Sequence, residues 1–276
     1  MNSTLIHLVW FTGLVVSTLP PGLLLAESVA VRHMEGTVHG FLAVRDLEGK
    51  TLAAGDLIQI VENGKLVSNL IFHFKDGSVD DETTVFSQNH DFRLLSDHHV
   101  QKGPSFPHPM DVSLNASTGQ VTVHSTEGNH DKVTTEHLEL PPDLANGLLL
   151  TLLKNLPTDA AETKVSYLVA TPKPRLVKFA IKPVGEEPFW TAGAGRRATC
   201  YVVKIELGGI TGVVAPILGK QPEDIYVWVL GGKAPAFIRM EGQLYQGGPV
   251  WRVELTSPTL RRAGLPRNEP KSGQHN

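Results

Sequence analysis

The chain of 276 residues has a formal charge of −3, 28 acidic against 25 basic side chains, and one cysteine. Residues 257–276 carry four cations and one anion, hence +3, which leaves −6 on the remainder; an acidic body without a basic stripe excludes nucleic acid as the partner. A lone cysteine excludes an intramolecular disulfide framework, and Cys200, inside the apolar run CYVVKIEL, reads as a buried thiol.

Residues 1–26 read as an export segment: Leu5 to Val16 is nearly unbroken apolar sequence, followed by Pro20, Pro21 and a plausible cleavage site after Ala26. The run lacks a preceding Lys or Arg, and a second possible cut follows Ala30. An uncleaved anchor is the alternative, since Leu5 to Leu25 is almost long enough to span a bilayer. No cysteine follows the segment to take a lipid. The protein is therefore expected to be exported, periplasmic or extracellular, or membrane-anchored if uncleaved, with no multi-span membrane domain.

From there the expected fold is mainly β, one large antiparallel curved sheet, open barrel or sandwich over 27–256. Val38, Gly40, Leu42 and Val44 alternate with polar neighbours. So do Val177, Phe179 and Ile181, and Tyr201, Val203 and Ile205. Asn63-Gly64 and Asp76-Gly77 read as type I′ hairpin turns linking three consecutive strands. The first pairs Glu62 with Lys65; the second would pair Phe74 with Val79 and His73 with Asp80. A turn at Asn89-His90 would set Glu82 opposite Asp97 and Asp80 opposite His99. Asp143 to Leu156, DLANGLLLTLLKNL, is the exception: a Leu-rich helix capped by Asp143, stopped by Pro157 and covered all round, with Gly147 counting against it. Near the C-terminus, a turn at Gln246-Gly247 lays Glu241 against Arg252 and Arg239 against Glu254, because the next register opposes two glutamates. The tail 257–276 is polar, basic and Pro-interrupted, and reads as disordered.

Chemistry concentrates between His73 and His108. With both turns as read, His73, Asp80 and His99 lie side by side on three strands, a two-His, one-carboxylate arrangement open for a metal, a water or a substrate; a solvated polar face is the competing reading. TAGAGRR at 191–197 lacks the strand-to-helix context of a phosphate loop. No Gly-x-Ser-x-Gly elbow occurs. For an apolar ligand, the lining would come from Leu148 and Leu152 of the helix and Trp228, Phe237 and Trp251 of the closing block, where core packing is the competing reading.

The blocks FHFKDGSVDDETTVFSQNHDFRLLSDHHVQKGPSFP and GGKAPAFIRMEGQLYQGGPVWRVEL, with a Leu-rich helix in mid-sequence, resemble uncharacterised bacterial exported families of unknown function. The resemblance implies an open β-barrel similar to the lipoprotein-carrier fold over residues 33–256. It implies no catalytic residue. Three readings stand: an exported noncatalytic β protein holding an apolar ligand such as a lipid, or an envelope partner; a hydrolase-type enzyme using the His/Asp face, with or without a metal; and a structural envelope protein with no ligand.

Overall fold

The protein is seen in a computed structural model that describes residues 28–127, 130–171, 173–191, 194–206 and 222–257. The apolar segment 1–26 and all of the basic tail except Ser257 lie outside the described residues. Turn chemistry and alternation generate β1 (Val38–Arg45), β2 (Thr51–Glu62), β3 (Lys65–Phe74), β4 (Val79–Gln88), β5 (Phe92–Lys102), β6 (Met110–Asn115), β7 (Gln120–Glu127) and β8 (His130–His137). After an insert come β9 (Thr163–Val169), β10 (Arg175–Thr191), β11 (Ala194–Glu206), β12 (Ile225–Leu230), β13 (Ala236–Gln243) and β14 (Val250–Leu255).

All fourteen strands form one antiparallel sheet in the order β8-β7-β6-β5-β4-β3-β2-β1-β14-β13-β12-β11-β10-β9. Each half is a meander, and β1 pairs with β14 to join them. The sheet is curved and unclosed, ending at β8 and β9. Its concave side holds a continuous apolar core drawn from both halves, including Leu42, Leu66, Phe86, Val121, Val165, Ile181, Val203 and Val253. No helix among the described residues is long and apolar enough to cross a membrane.

The hairpin at Asn63-Gly64 has positive φ at both residues (51° and 73°), as a type I′ turn requires, and pairs Glu62 with Lys65 as expected. The C-terminal hairpin also keeps its expected register, Arg239 to Glu254 and Glu241 to Arg252. The Asp76-Gly77 turn differs. Only Gly77 has positive φ (86°), Gly77 N–H donates to Phe74 O, and Phe74 N–H donates to Ser78 O. That is a three-residue loop with a left-handed glycine, and it pairs His73 with Val79 and Phe72 with Asp80.

The insert between β8 and β9 corrects the expected helix. Helix α1 is short, Leu149–Leu153, and Asp143 does not cap it. Gly147 takes φ 62°, which ends any regular helix on its N-terminal side, and its Cα presses on β4 and β5: a Cβ there would collide with Thr84 Oγ1 and stand 2.9 Å from Asp97 Oδ1. Residues 143–146 instead run alongside β9. Ala145 N–H donates to Ser166 O, and the Asn146 side chain both accepts from Leu168 N–H (2.8 Å) and donates to Leu168 O (3.0 Å). The edge of β9 is thereby satisfied rather than left as a template for pairing. The leucines do behave as read, since Leu144, Leu148, Leu152, Leu153 and Leu156 are buried and Leu149 and Leu150 pack against the same core.

Candidate functional site

Among the described residues, chemistry-bearing side chains come together on the concave face, beside β9 and in a groove. The first is the concave face of β4 and β5. Asp80, Glu82 and Thr84 on β4 point inward with Asp97, His99 and Gln101 on β5, because Thr84 pairs with Asp97, Glu82 with His99 and Asp80 with Gln101. His99 Nε2 lies 2.6 Å from Asp80 Oδ1, and its Nδ1 is 4.0 Å from Glu82 Oε1. Gln101 donates to Asp80 Oδ2 (3.2 Å) and to Leu244 O (2.8 Å), and Thr84 donates to Asp97 Oδ1 (2.8 Å).

Burial governs the protons of this cluster. It is the main reason the Glu82 carboxyl is pushed up to about 8, with repulsion from Asp97 and Asp80 adding and the charge of His99 opposing. Asp97 is also raised by burial, against the lowering effect of the Thr84 hydrogen bond. Burial disfavours the His99 imidazolium, yet Glu82 and the Asp80 hydrogen bond outweigh it and lift His99 to about 9. Tyr167 on β9, stacked on Phe179 with ring centroids 4.4 Å apart, has its phenol raised by burial and then by the carboxylates across the interior.

The expected His73, Asp80 and His99 set is not assembled. Asp80 and His99 meet, but His73 is exposed on the other face of the sheet, because the loop at Asp76-Gly77 is one residue longer than a two-residue turn and a one-residue slip reverses a strand's faces. Among the described residues, no three His, Cys, Asp or Glu side chains converge as a metal cage.

Beside β9, Asp143 is wholly buried, accepting from Ser166 Oγ (2.8 Å) and Lys178 Nζ (2.9 Å), while Lys178 Nζ also reaches Ser166 Oγ (2.8 Å). This does not have the arrangement of a serine–lysine nucleophile: Ser166 is 1 % exposed, and its hydroxyl already donates to Asp143. It fastens the start of the insert to β9 and β10.

The third place is a groove of about 400 Å³ at the other end of the insert. Leu153, Leu156, Tyr201 of β11 and Val229 of β12, all buried, lie behind it, Pro157 and Pro235 are its more accessible apolar residues, and Arg32, His33, Lys154, Thr158, Asp159 and Thr199 complete a largely polar lining. One buried amide builds its mouth. Asn155, 1 % exposed, donates to Thr151 O at the helix end, and its Oδ1 accepts from the backbone N–H groups of Arg32 (2.9 Å) and His33 (2.7 Å). Lys154 is bound to Glu35 at 2.6 Å, and Glu35 exchanges two backbone hydrogen bonds with the Gln88 side chain. Residues 28–35 thus form a strap from the β4–β5 turn to the insert, pinned at Asp91, Gln88 and Asn155. Tyr201 OH points at Leu156 O (3.4 Å).

None of the five residues expected to line a ligand site lines this groove. Leu148, Leu152, Phe237 and Trp251 belong to the packed core, Trp251 in an aromatic cluster with Phe74, Phe106 and Tyr245. Trp228 is on the opposite face from its neighbours Val227 and Val229, packed with Ala198 and Cys200 under the Arg239 guanidinium at 4.4 Å. Burial raises the Cys200 thiol to about 11, consistent with an inert core cysteine. In TAGAGRR, the described residues 194–197 continue β11 and Arg197 pairs with Glu186 at 2.8 Å. Sequence reasoning missed the strap altogether. Its signal was Arg32-His33 directly after the apolar segment, with Leu153 and Leu156 continuing the leucine run.

No family model matches the chain, and no curated protein does. Among solved structures it is similar to a hypothetical lipoprotein, YmcC, from Escherichia coli K12, at 11% identity over 81% of this chain and 86% of that one, with a TM-score of 0.36. It is also similar to a β-barrel-like protein of the domain of unknown function DUF1849 from Brucella abortus, at 9% identity over 81% of this chain and 98% of that one, with a TM-score of 0.45. At these identities no residue correspondence follows.

Proposed function

We propose that the chain is an exported, noncatalytic β protein that binds an apolar small molecule in the groove between the insert and β11–β12. The observation that carries the reading is an open groove of about 400 Å³, within the ~300–1,000 Å³ usual for small-molecule sites, lined by Pro157 and Pro235 beside polar and charged side chains. The apolar segment 1–26 supports export, to the periplasm or outside the cell, with a membrane anchor if the segment stays uncleaved. The interior His99–Asp80 pair supports a structural rather than a catalytic role, since both Asp80 oxygens are engaged and the insert lies over the cluster at Gly147.

Titration of the purified protein with N-phenyl-1-naphthylamine tests this. A saturable rise in fluorescence, weakened by Thr158→Trp, is expected, because Thr158 is exposed on the groove wall and an indole there fills the groove without disturbing the core. No saturable signal from the folded wild type would overturn the reading in favour of a structural envelope protein without a ligand.

A further inference from the structure

We propose that one end of the sheet lies against an anionic lipid surface, with Trp190 and an apolar rim on β1, β2 and β14 in the headgroup layer and the cations of residues 257–276 on the lipid charges. The inference goes beyond the groove reading and does not rest on it.

Antiparallel pairing puts the start of β1, the ends of β2 and β14 and the β10–β11 hairpin at the same end of the sheet. There Val38, Phe41, Ile58, Ile60, Val61 and Leu255 are each between 36% and 49% exposed. Phe41, Ile58 and Ile60 leave the convex face, while Val38, Val61 and Leu255 share the concave side with Leu42, Gln59 and Val253. Apolar side chains therefore wrap both sides of the strand ends, where water gives them no partner. The β10–β11 hairpin projects beyond this rim: β10 pairs with β9 only as far as Ile181, and β11 pairs with β12 only from Ala198, which leaves the tip free of both neighbouring strands. Trp190 stands on that tip, 77% exposed, with exposed Arg196 opposite Phe189. An indole with one apolar and one wet side is the side chain that membrane–water interfaces favour.

The segments that join the domain here decide the occupant. Ser28 Oγ donates to Asp91 at the start of β5, so the apolar segment 1–26 connects at this end. Thr256 N–H donates to Phe41 O, and residues 257–276 follow, with Arg261, Arg262, Arg267 and Lys271 against Glu269. Carboxylates at this end have cations of their own: Asp56 lies 2.7 Å from His39, Glu186 2.8 Å from Arg197 and Asp91 3.6 Å from Arg93. Apolar contact with the headgroup layer and attraction of Lys and Arg to anionic lipids act together at such a surface. A second copy docked on the same rim would set the two sets of cations against each other.

The full chain carrying a nitrobenzoxadiazole label on Ile60→Cys, or on Leu47→Cys at the opposite end of the sheet, tests this, because Cys200 is buried and the introduced thiol is the one that reacts. Comparing the two positions separates contact of the rim from capture by residues 1–26, which would bring both to the vesicle alike. With vesicles of phosphatidylcholine and phosphatidylglycerol, emission at position 60 is expected to rise several-fold and shift to the blue while position 47 stays unchanged. Trp190→Ser should reduce that rise. Arg261→Gln combined with Arg262→Gln should raise the lipid concentration needed for half of it roughly twentyfold, about fivefold for each cation. No change at position 60, or an equal change at both positions, overturns the proposal. So does a rise at position 60 without vesicles that grows with protein concentration, which assigns the rim to a second copy. The same rise at the same concentration of pure phosphatidylcholine overturns the role given to the cations.

Discussion

The two ends of the insert use polar side chains to opposite effect. At residues 143–147 every polar group is spent inside the protein: Asp143 on Lys178 and Ser166, Asn146 on both backbone groups of Leu168, and Gly147 in van der Waals registry with the Thr84–Asp97 pair. At residues 153–159 the buried Asn155 fixes a neighbouring strap, and that strap leaves a charged side chain facing a groove. A buried ionic clamp adds little net stability over apolar packing, but it tolerates only one placement of the chain. The first end therefore sets where the insert lies, and the second end has latitude to hold something else.

The largest effect is expected from breaking the clamp. Lys178→Met leaves the wholly buried Asp143 carboxylate without its cation and should cost about 3–5 kcal/mol in urea unfolding. A cost below about 1 kcal/mol would mean the clamp does not position the insert. Between the two ends, Leu152→Ala should cost about 2–5 kcal/mol, because Leu152 is 3 % exposed within the main core. At the open end, Asn155→Ala removes the acceptor of two N–H groups and should cost about 1–3 kcal/mol, with loosening of residues 30–35 visible in hydrogen exchange. Unchanged exchange there would deny that Asn155 sets the strap.

The carboxylate cluster under Gly147 gives the comparison a pH dependence. Glu82 rises from 4.5 to about 8 and His99 from 6.5 to about 9, so across that interval the native state binds more protons than the unfolded chain. Stability is thus highest below these windows and falls as pH rises, from pH 4.5 to 8 for Glu82 and from 6.5 to 9 for His99. Thermal melts should give a lower Tm at pH 9 than at pH 6, and Glu82→Gln should flatten the slope. A Tm that rises over this range would contradict the assignment. The smallest effect is on the open end itself: Arg32→Gln, on an exposed side chain, should leave stability in urea unfolding within about 0.5 kcal/mol.

How much of this was legible in the sequence is clearest from the hairpins. Asn63-Gly64 fixed its register because both residues occupy left-handed φ, which selects a two-residue loop. Asp76-Gly77 is compatible with two loops, and a distant contact decides between them: Asp76 accepts from Ser105 Oγ at 2.7 Å, and Ser105 N–H donates to Ser78 Oγ at 2.8 Å. No local pattern carries that information. The slip of one residue moved His73 outside. On β4–β5 the expected register was wrong by two beyond an irregularity at Val85/Phe86, and an even slip preserves the face, so Asp80 and His99 meet as expected. In the insert, the leucine spacing correctly announced burial all round. The glycine that limits α1 could not be weighed without knowing that Thr84 and Asp97 press on it. The groove escaped because its mouth belongs to residues more than a hundred positions from its floor.

Every strand neighbours its successor except β8, whose successor β9 lies at the other end of the sheet, and the two meanders meet where β1 pairs with β14 through only four residue pairs, Leu42 to Leu255 through Arg45 to Arg252. The two meanders are built from local pairings that close early and cheaply, whereas that seam brings together positions from opposite ends of the domain and must bear the loop-closure entropy of the whole chain. Folding should then proceed as two leaves, each zipping hairpin by hairpin, with the seam closing last. A chain that has folded β1–β8 but not yet β14 presents β1 as an open strand edge. The interval before the seam closes is when the protein is most exposed to pairing with another copy of itself.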